Sequence, residues 1–341
     1  MSKAKYITYS NTVGETLYKN MKKNKKIIIS GLEVNYSSKV FGTMEKPYKY
    51  FPKRFVQSPA MENSLCTILA GAAISGLKPV FVNNRCDFLL LAFDPIVNII
   101  DKWNYMFDGN SGKCPILITA VIGRGWGQGA THSQSFHNFF SRLPGIDVFL
   151  PTFPSDIKNI YDYCLKSKKP SIILKHRSLF EIKEKRRRRN FLYGKGNLIR
   201  KGEELCIISL SYGTIQSLKV YNLIKKYHNK KISILDLLSV NPLDKKQILK
   251  VAKKHKKILI MDIDHSINGL ASEIYSIINQ KYKDKEIHKI GNQFVPAPVS
   301  INLEKLFYPS NQIIYNKCCE LLRIKSKKNL PEENENFLGP Y

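Results

Sequence analysis

Glu62 stands at the head of an apolar stretch, in Ser58-Pro59-Ala60-Met61-Glu62, with Met61, Leu65 and Ile68 around it. An acid near an apolar helix face has its charged form disfavoured by desolvation, and a carboxyl tuned this way can share a proton with a heterocyclic nitrogen. The plainer alternative is a first-turn acid that complements the helix dipole. Further along, Gly123-Arg124-Gly125-Trp126-Gly127-Gln128-Gly129-Ala130 follows an apolar run and leads into Thr131-His132-Ser133-Gln134. A loop of such glycines can approach a ligand or a partner backbone closely. Gly125, Gly127 and Ala130 match a dinucleotide fingerprint, but the context is wrong for one. Thr131-His132 is not yet helix, and the next acid, Asp147, begins a strand where a ribose-binding acid should end one. His132 and His137, at i and i+5, are badly spaced for two ligands on one helix face, so no metal pair is expected. Neither a GxSxG elbow nor a Walker loop occurs.

These residues need a frame. Ile27-Ile28-Ile29-Ser30-Gly31 has the β-branched character of a buried parallel strand running into a loop. A helix is predicted from Pro59 to about Ser75, with Ser58 as N-cap, Pro59 at the first helical position and Ala70-Gly71-Ala72-Ala73 as a smooth face for close packing. Lys78 to Val82 follows as a strand, Phe88 to about Trp103 as a helix and Pro115 to Ile122 as a strand. Asp147 to Pro151, a helix after Pro154, and Ser171 to Leu174 complete the set. Strands alternating with helices mean a mostly parallel, doubly wound sheet. A charged stretch then interrupts the pattern, and a second series begins with the strand Leu205 to Leu210. It continues with a helix from Gly213 to Tyr227 and strands at Ile232 to Leu237 and Ile258 to Asp262. The expected organisation is α/β, with two doubly wound domains at 1–182 and 204–325. A linker at 183–203 joins them, and 326–341 forms a loosely held polar tail.

A chain of 341 residues, 43% hydrophobic and 11% aromatic, can bury two cores and is globular in composition. The basic start Met1-Ser2-Lys3-Ala4-Lys5-Tyr6 is followed by polar residues rather than the apolar run of a secretion signal. No apolar run reaches the roughly 20 residues of a membrane helix. A soluble, cytoplasmic protein without membrane contact is expected. The seven cysteines are odd in number and scattered, with no CxxC pair, which favours buried free thiols over zinc or disulfides. A net charge of +28 raises nucleic-acid binding as a hypothesis. The lysines are nevertheless spread along the whole chain, and the dense run Lys183-Glu184-Lys185-Arg186-Arg187-Arg188-Arg189 has no interleaved aromatics. A solvated surface without a nucleic-acid partner is expected, with docking to an acidic protein as a further possibility.

Several stretches follow one another in a distinctive order. After Ser58-Pro59-Ala60-Met61-Glu62 come Asp87-Phe88 and Ala92-Phe93-Asp94-Pro95-Ile96-Val97-Asn98, then His132-Ser133-Gln134 with Leu143-Pro144-Gly145-Ile146. Asn241-Pro242-Leu243-Asp244 and Asn268-Gly269-Leu270-Ala271-Ser272-Glu273 follow. In this order, over nearly the whole chain, the sequence resembles the beta subunit of the decarboxylating component of thiamine diphosphate-dependent 2-oxo acid dehydrogenases, of the pyruvate and branched-chain type. The family counterparts are Thr-Pro-x-x-Glu, an Asp/Asn-Phe pair, Ala-x-Asp-Gln-x-x-Asn, His-Ser-Gln with Pro-Gly, Arg-Pro-Leu-Asp and a glycine-rich stretch into Ala-x-Glu.

The resemblance implies a transketolase-like pyrimidine-binding domain followed by a transketolase C-terminal-like domain. It implies that Glu62 bonds the pyrimidine ring nitrogen of thiamine diphosphate, favouring the imino tautomer that activates the thiazolium carbon. Phe88 would stack on the pyrimidine, Glu33 would lie at the cofactor edge, and His132 would line the reaction channel. The activity implied is oxidoreductase chemistry: a 2-oxo acid loses carbon dioxide and its acyl group passes to a lipoyl carrier. The implied partners are an alpha subunit, a second beta subunit in contact with the first as part of a heterotetramer, and a lipoyl acyltransferase.

Departures from the family pattern narrow what this chain can do alone. It lacks the Gly-Asp-Gly…Asn segment that holds magnesium and diphosphate, since Asp108-Gly109-Asn110 is only a turn. Those ligands fall to the alpha subunit, and no metal site is expected here. Gly31-Leu32-Glu33-Val34 carries Leu32 where the family has an acid. The family loop rich in Asp and Asn that binds a structural monovalent cation is here Lys166-Ser167-Lys168-Lys169. Lys175-His176-Arg177 replaces an acidic run. Two other functions stay open: a transketolase-like or acyloin-forming subunit with an aldehyde or sugar acceptor, and a non-catalytic subunit kept for assembly.

Overall fold

The structure, a computed structural model, describes residues 6–36, 41–107, 112–124, 127–185 and 191–330. Gly125 and Trp126 of the glycine ladder, the Asp108-Gly109-Asn110 turn, the arginine run 186–189 and the tail beyond 330 lie outside the described residues. The chain divides into two compact units, one of residues 1–122 and 139–193, the other of residues 123–138 and 194–341.

In chain order the first unit begins with β1 (Tyr6–Thr8), α1 (Tyr9–Lys23), β2 (Ile27–Gly31), α2 (Glu45–Tyr50), β3 (Phe55–Gln57), α3 (Glu62–Ile74) and β4 (Lys78–Asn83). α4 (Cys86–Leu89), α5 (Trp103–Met106) and β5 (Leu117–Ile122) follow. The chain belongs to this unit again from Phe139, within α6 (His137–Ser141), and β6 (Asp147–Phe149), α7 (Pro154–Lys166), β7 (Ser171–His176) and β8 (Lys183–Lys185) follow. The sheet runs β6-β7-β5-β4-β2-β3, and every pairing in that order is parallel. β1 pairs antiparallel with β8, Tyr6 opposite Lys185. The central strands are buried throughout, as strands covered on both faces must be.

Three expectations change at this level. α3 starts at Glu62, with Met61 rather than Ser58 as its N-cap residue. Ser58 is buried instead, its N–H donating to Gly31 O at 3.2 Å and its hydroxyl to Pro59 O at 2.8 Å, which ties the segment to the end of β2 before the helix can begin. The helix expected from Phe88 to Trp103 is broken into α4, a 3₁₀ turn at Leu90–Ala92, a π turn at Pro95–Ile100 and α5. Pro95 lacks an N–H and crowds the preceding turn, so a regular ladder cannot run through it. The stretch 183–203 is not only linker, because it supplies β8 and β9 (Asn197–Arg200).

The second unit holds β9, β10 (Leu205–Ser209), α8 (Ser211–His228), β11 (Ser233–Asp236), β12 (Ser239–Asn241), α9 (Lys245–Lys254) and β13 (Lys257–His265). α10 (Leu270–Lys281), β14 (Glu286–Asn292), α11 (Ile301–Phe307) and α12 (Asn311–Leu322) complete it. Its sheet runs β14-β13-β10-β11-β9, parallel except for β9 against β11. Ile207, Ile224, Ile234, Leu259 and Ile314 are fully buried in its core. All seven cysteines of the chain are buried and free. Among the described residues no helix is long and apolar enough to cross a membrane.

The small-residue face of α3 is only partly a packing face. Ala70 and Ala73 are buried, whereas a Cβ at Gly71 would meet nothing within 4 Å. At Gly31 a Cβ would stand 2.1 Å from Val82 O. Gly31→Ala should therefore cost at least about 1–3 kcal/mol through backbone displacement, while Gly71→Ala should gain about 0.5–1 kcal/mol from helix propensity. Urea denaturation of the two variants checks this, and the reverse order of stabilities would contradict it.

Candidate functional site

In the first unit the carboxyl ends of β2, β3 and β4 converge, the edge at which open parallel sheets bind ligands. There a hollow of about 10 Å³ is lined by Leu32, Pro59, Met61, Glu62, Leu65, Phe81, Val82 and Asn83. Leu32 follows β2, Pro59 and Met61 follow β3, and Val82 and Asn83 close β4. Glu62 is half-buried at the first residue of α3, and its carboxylate makes no hydrogen bond or ion pair among the described residues. A space of this size suits one water. It offers a larger ring an edge to lean on, with a free carboxylate beside the apolar walls of Leu65, Phe81 and Val82. Ile68, expected beside Glu62, is instead 60% exposed on α3.

Glu33 sits beside this edge. It takes a positive φ of 58°, in the turn after β2, and its Oε2 accepts from Asn84 Nδ2 at 2.7 Å. The bond joins the turn after β2 to the turn after β4. Phe88 lies half-buried on α4, its N–H donating to Arg85 O at 3.3 Å, and is not among the residues that line the hollow. Lys175, on β7, is fully buried, and its Nζ has no hydrogen-bond partner among the described residues. Burial pushes its pKa down to about 7.

His132 belongs to the other unit, at the end of a 3₁₀ turn, Ala130–His132, with its Nδ1 2.9 Å from Thr131 Oγ1. The glycine-rich segment before it packs on its own unit: a Cβ at Gly129 would stand 2.8 Å from Val299 Cγ2. Arg124 Nε pairs with the buried Glu304 of α11 at 3.0 Å, and Tyr308 OH donates to Ser133 O at 3.3 Å. Ser135 Oγ donates to Ile263 O, and the Phe136 N–H to Asp264 Oδ2, both at 3.2 Å. Behind them His137 Nε2 stands 2.9 Å from Asp262 Oδ1, both side chains buried.

Two family descriptions cover most of the chain: "Transketolase, pyrimidine binding domain" matches residues 5–183 and "Transketolase, C-terminal domain" matches residues 194–314. The chain belongs to the transketolase pyrimidine-binding family. Among relatives of this family, "Pyruvate dehydrogenase E1 component subunit beta, mitochondrial" from Chaetomium thermophilum is 28% identical over 94% of this chain and 86% of its own length. The protein named "Pyruvate dehydrogenase E1 component subunit beta" from Rickettsia felis is 28% identical over 89% of this chain and 94% of its own length. A solved structure titled "Split gene transketolase, inactive beta4 tetramer" shares the fold, with a TM-score of 0.75 at 20% identity over 94% of this chain and 99% of that one. The transketolase-like α/β expectation holds in both domains. The family implies thiamine diphosphate as its cofactor. The Glu62 carboxylate, without a partner among the described residues at an apolar sheet edge, has the chemistry to bond a pyrimidine nitrogen of that group.

The Asn84–Glu33 bond and the His137–Asp262 pair are the features sequence reasoning missed. Asn84 follows a strand directly, a position from which a polar residue can reach a neighbouring turn. In sequence, His137 reads only as a possible partner of His132 in a metal pair, because its bond to Asp262 is long-range. Burial alone would lower His137, but the Asp262 carboxylate, with Asp264 adding, raises it above its ordinary 6.5. Burial works to raise Asp262, and His137 with the backbone N–H groups of Ala271 and Asp264 overcomes this to hold it below 3.8. The His137 contribution to stability is thus complete below pH 6.5 and fades as pH rises through its raised value. The Asp262 contribution is complete above pH 3.8 and fades as pH falls through its lowered value. Removing one partner of a buried pair costs about 3–5 kcal/mol. His137→Gln should therefore lower the urea midpoint most near pH 6 and progressively less toward alkaline pH. A loss independent of pH would contradict the pairing.

Proposed function

We propose that the chain is the beta subunit of a thiamine diphosphate-dependent 2-oxo acid dehydrogenase, active only with an alpha subunit, which decarboxylates a 2-oxo acid and passes the acyl group to a lipoyl carrier. The observation that carries this reading is Glu62: a carboxylate without a partner among the described residues, beside apolar walls, at the carboxyl edge of a parallel sheet. The similarity to pyruvate dehydrogenase beta subunits along nearly the whole chain supports the choice of reaction.

Bound thiamine diphosphate would supply the electron sink for loss of carbon dioxide. Glu62 would hold the proton at the pyrimidine ring nitrogen. Leu65, Phe81 and Val82 would keep water from that contact, which strengthens a hydrogen bond in a low-dielectric site. Glu33, fixed by Asn84, would set the turn at the cofactor edge. Phe88 would supply the aromatic face for the pyrimidine, and His132 would act on the substrate side of the reaction. The diphosphate and its magnesium need ligands this sequence does not contain. An alpha chain would bring them, and a second beta chain would complete a heterotetramer.

Glu62→Gln keeps the size of the side chain and removes the acid. In the complex assembled with the alpha subunit it should leave the melting temperature unchanged. It should slow hydrogen–deuterium exchange at the thiazolium carbon by about 10²–10⁴, the usual contribution of a positioned proton-transfer group. NMR of the quenched cofactor reads this exchange without relying on turnover, and an unchanged rate would reduce Glu62 to a helix-start acid.

A further inference from the structure

At the amino end of the first unit's sheet, away from the Glu62 edge, Lys78 opens β4 and is only 5% exposed. Its Nζ donates to Ser167 O at 2.7 Å. Ser167 is the C-cap residue of α7, where carbonyls lack intrahelical partners and the helix dipole places negative partial charge. A buried helix end of this kind requires a donor or a cation. The groups that bear on the charge of Lys78 are the thiols of Cys164 and Cys114, and burial holds both neutral by pushing them up to about 12 and 11. The ammonium is therefore matched to a carbonyl and not to a carboxylate.

The rest of the turn is closed by a second lysine. Lys169 Nζ lies 2.6 Å from Oδ1 of the fully buried Asp147, which also accepts from Tyr193 OH at 2.8 Å, while Tyr163 OH donates to its Oδ2 at 3.1 Å. Lys169 N–H donates to Ser167 Oγ at 3.0 Å. The loop Lys166-Ser167-Lys168-Lys169 thus has none of the acidic character that would welcome an ion, and its Ser167 carbonyl is already taken by Lys78. We infer that the Lys78 ammonium stands in for a structural monovalent cation at the end of α7, so that this chain needs no potassium-like ion there. Burial lowers Lys78 to about 8, which leaves it mostly charged at neutral pH. The inference is independent of the reading of Glu62.

Thermal melts of the full-length chain at fixed ionic strength, in potassium, sodium or choline chloride, test it. The wild type should melt at the same temperature in all three. Lys78→Ala should melt lower in choline, and potassium or methylammonium should restore part of the loss with saturation. A saturable rise in the wild-type melting temperature with potassium would overturn the inference. So would a Lys78→Ala variant whose loss no small cation recovers, since that lysine would then serve packing alone. Should Lys78→Ala fail to fold in choline, refolding of the same chain in potassium is the expected result and failure in both salts the contrary one. Lys78→Met, which keeps the packing without the charge, should be destabilised and stay insensitive to every added cation; wild-type stability for it would count against the ammonium.

Discussion

The close approach of Gly31 to Val82 is the constraint on which the Glu62 edge depends. β2 and β4 pair in parallel with Gly31 opposite Val82, and no side chain fits between Gly31 and the Val82 carbonyl. This contact lets both strands end together, so Leu32 and Glu33 emerge beside Asn83 and Asn84. The Asn84–Glu33 bond then holds a turn whose positive φ at a non-glycine residue is otherwise unfavourable. Ser58, tied by its N–H to Gly31 O, sets where the chain turns into α3 and so where Glu62 stands. One register thus positions an acid, an apolar wall and a second carboxylate.

The second unit holds its glycine-rich candidate segment by a different device. Residues 127–136 hold only one short 3₁₀ turn, and a backbone bond from Gly123 N–H to Gln134 O at 3.1 Å together with side-chain contacts places them. Arg124 with Glu304, Tyr308 with Ser133 O, and His137 with Asp262 pin the segment at both ends and in the middle. Gly127 and Gly129 approach Val299, a contact with their own chain that offers a bland reason for part of the ladder. Buried ion pairs gain little net stability against apolar packing but are costly to break. They suit a segment that must hold one conformation.

Much of this fold was legible because buried parallel strands are written as β-branched runs. Ile27–Gly31, Lys78–Asn83, Leu117–Ile122 and Ser171–His176 all fall where such runs predict them. The first helix escaped notice, although Tyr9, Val13, Leu17 and Met21 form a four-residue repeat that the structure buries completely behind a Thr8 cap. The apolar residues after Phe88 predict one helix, but Pro95 breaks it into short turns. Ser58 looked like an N-cap because its chemistry suits one, yet its tertiary bond to β2 takes precedence. The candidate acid was visible in sequence. The interactions that position it were not, because Gly31 with Val82 and Asn84 with Glu33 are long-range pairs that no local pattern encodes.

The central claim is that this chain provides only the acid-bearing part of a thiamine diphosphate site. Calorimetric titration with thiamine diphosphate and magnesium, on the purified chain alone and on the chain assembled with its alpha subunit, tests it most directly. The account predicts weak or undetectable binding to the single chain and tight, magnesium-dependent binding to the assembly. Tight magnesium-dependent binding by the single chain would contradict it.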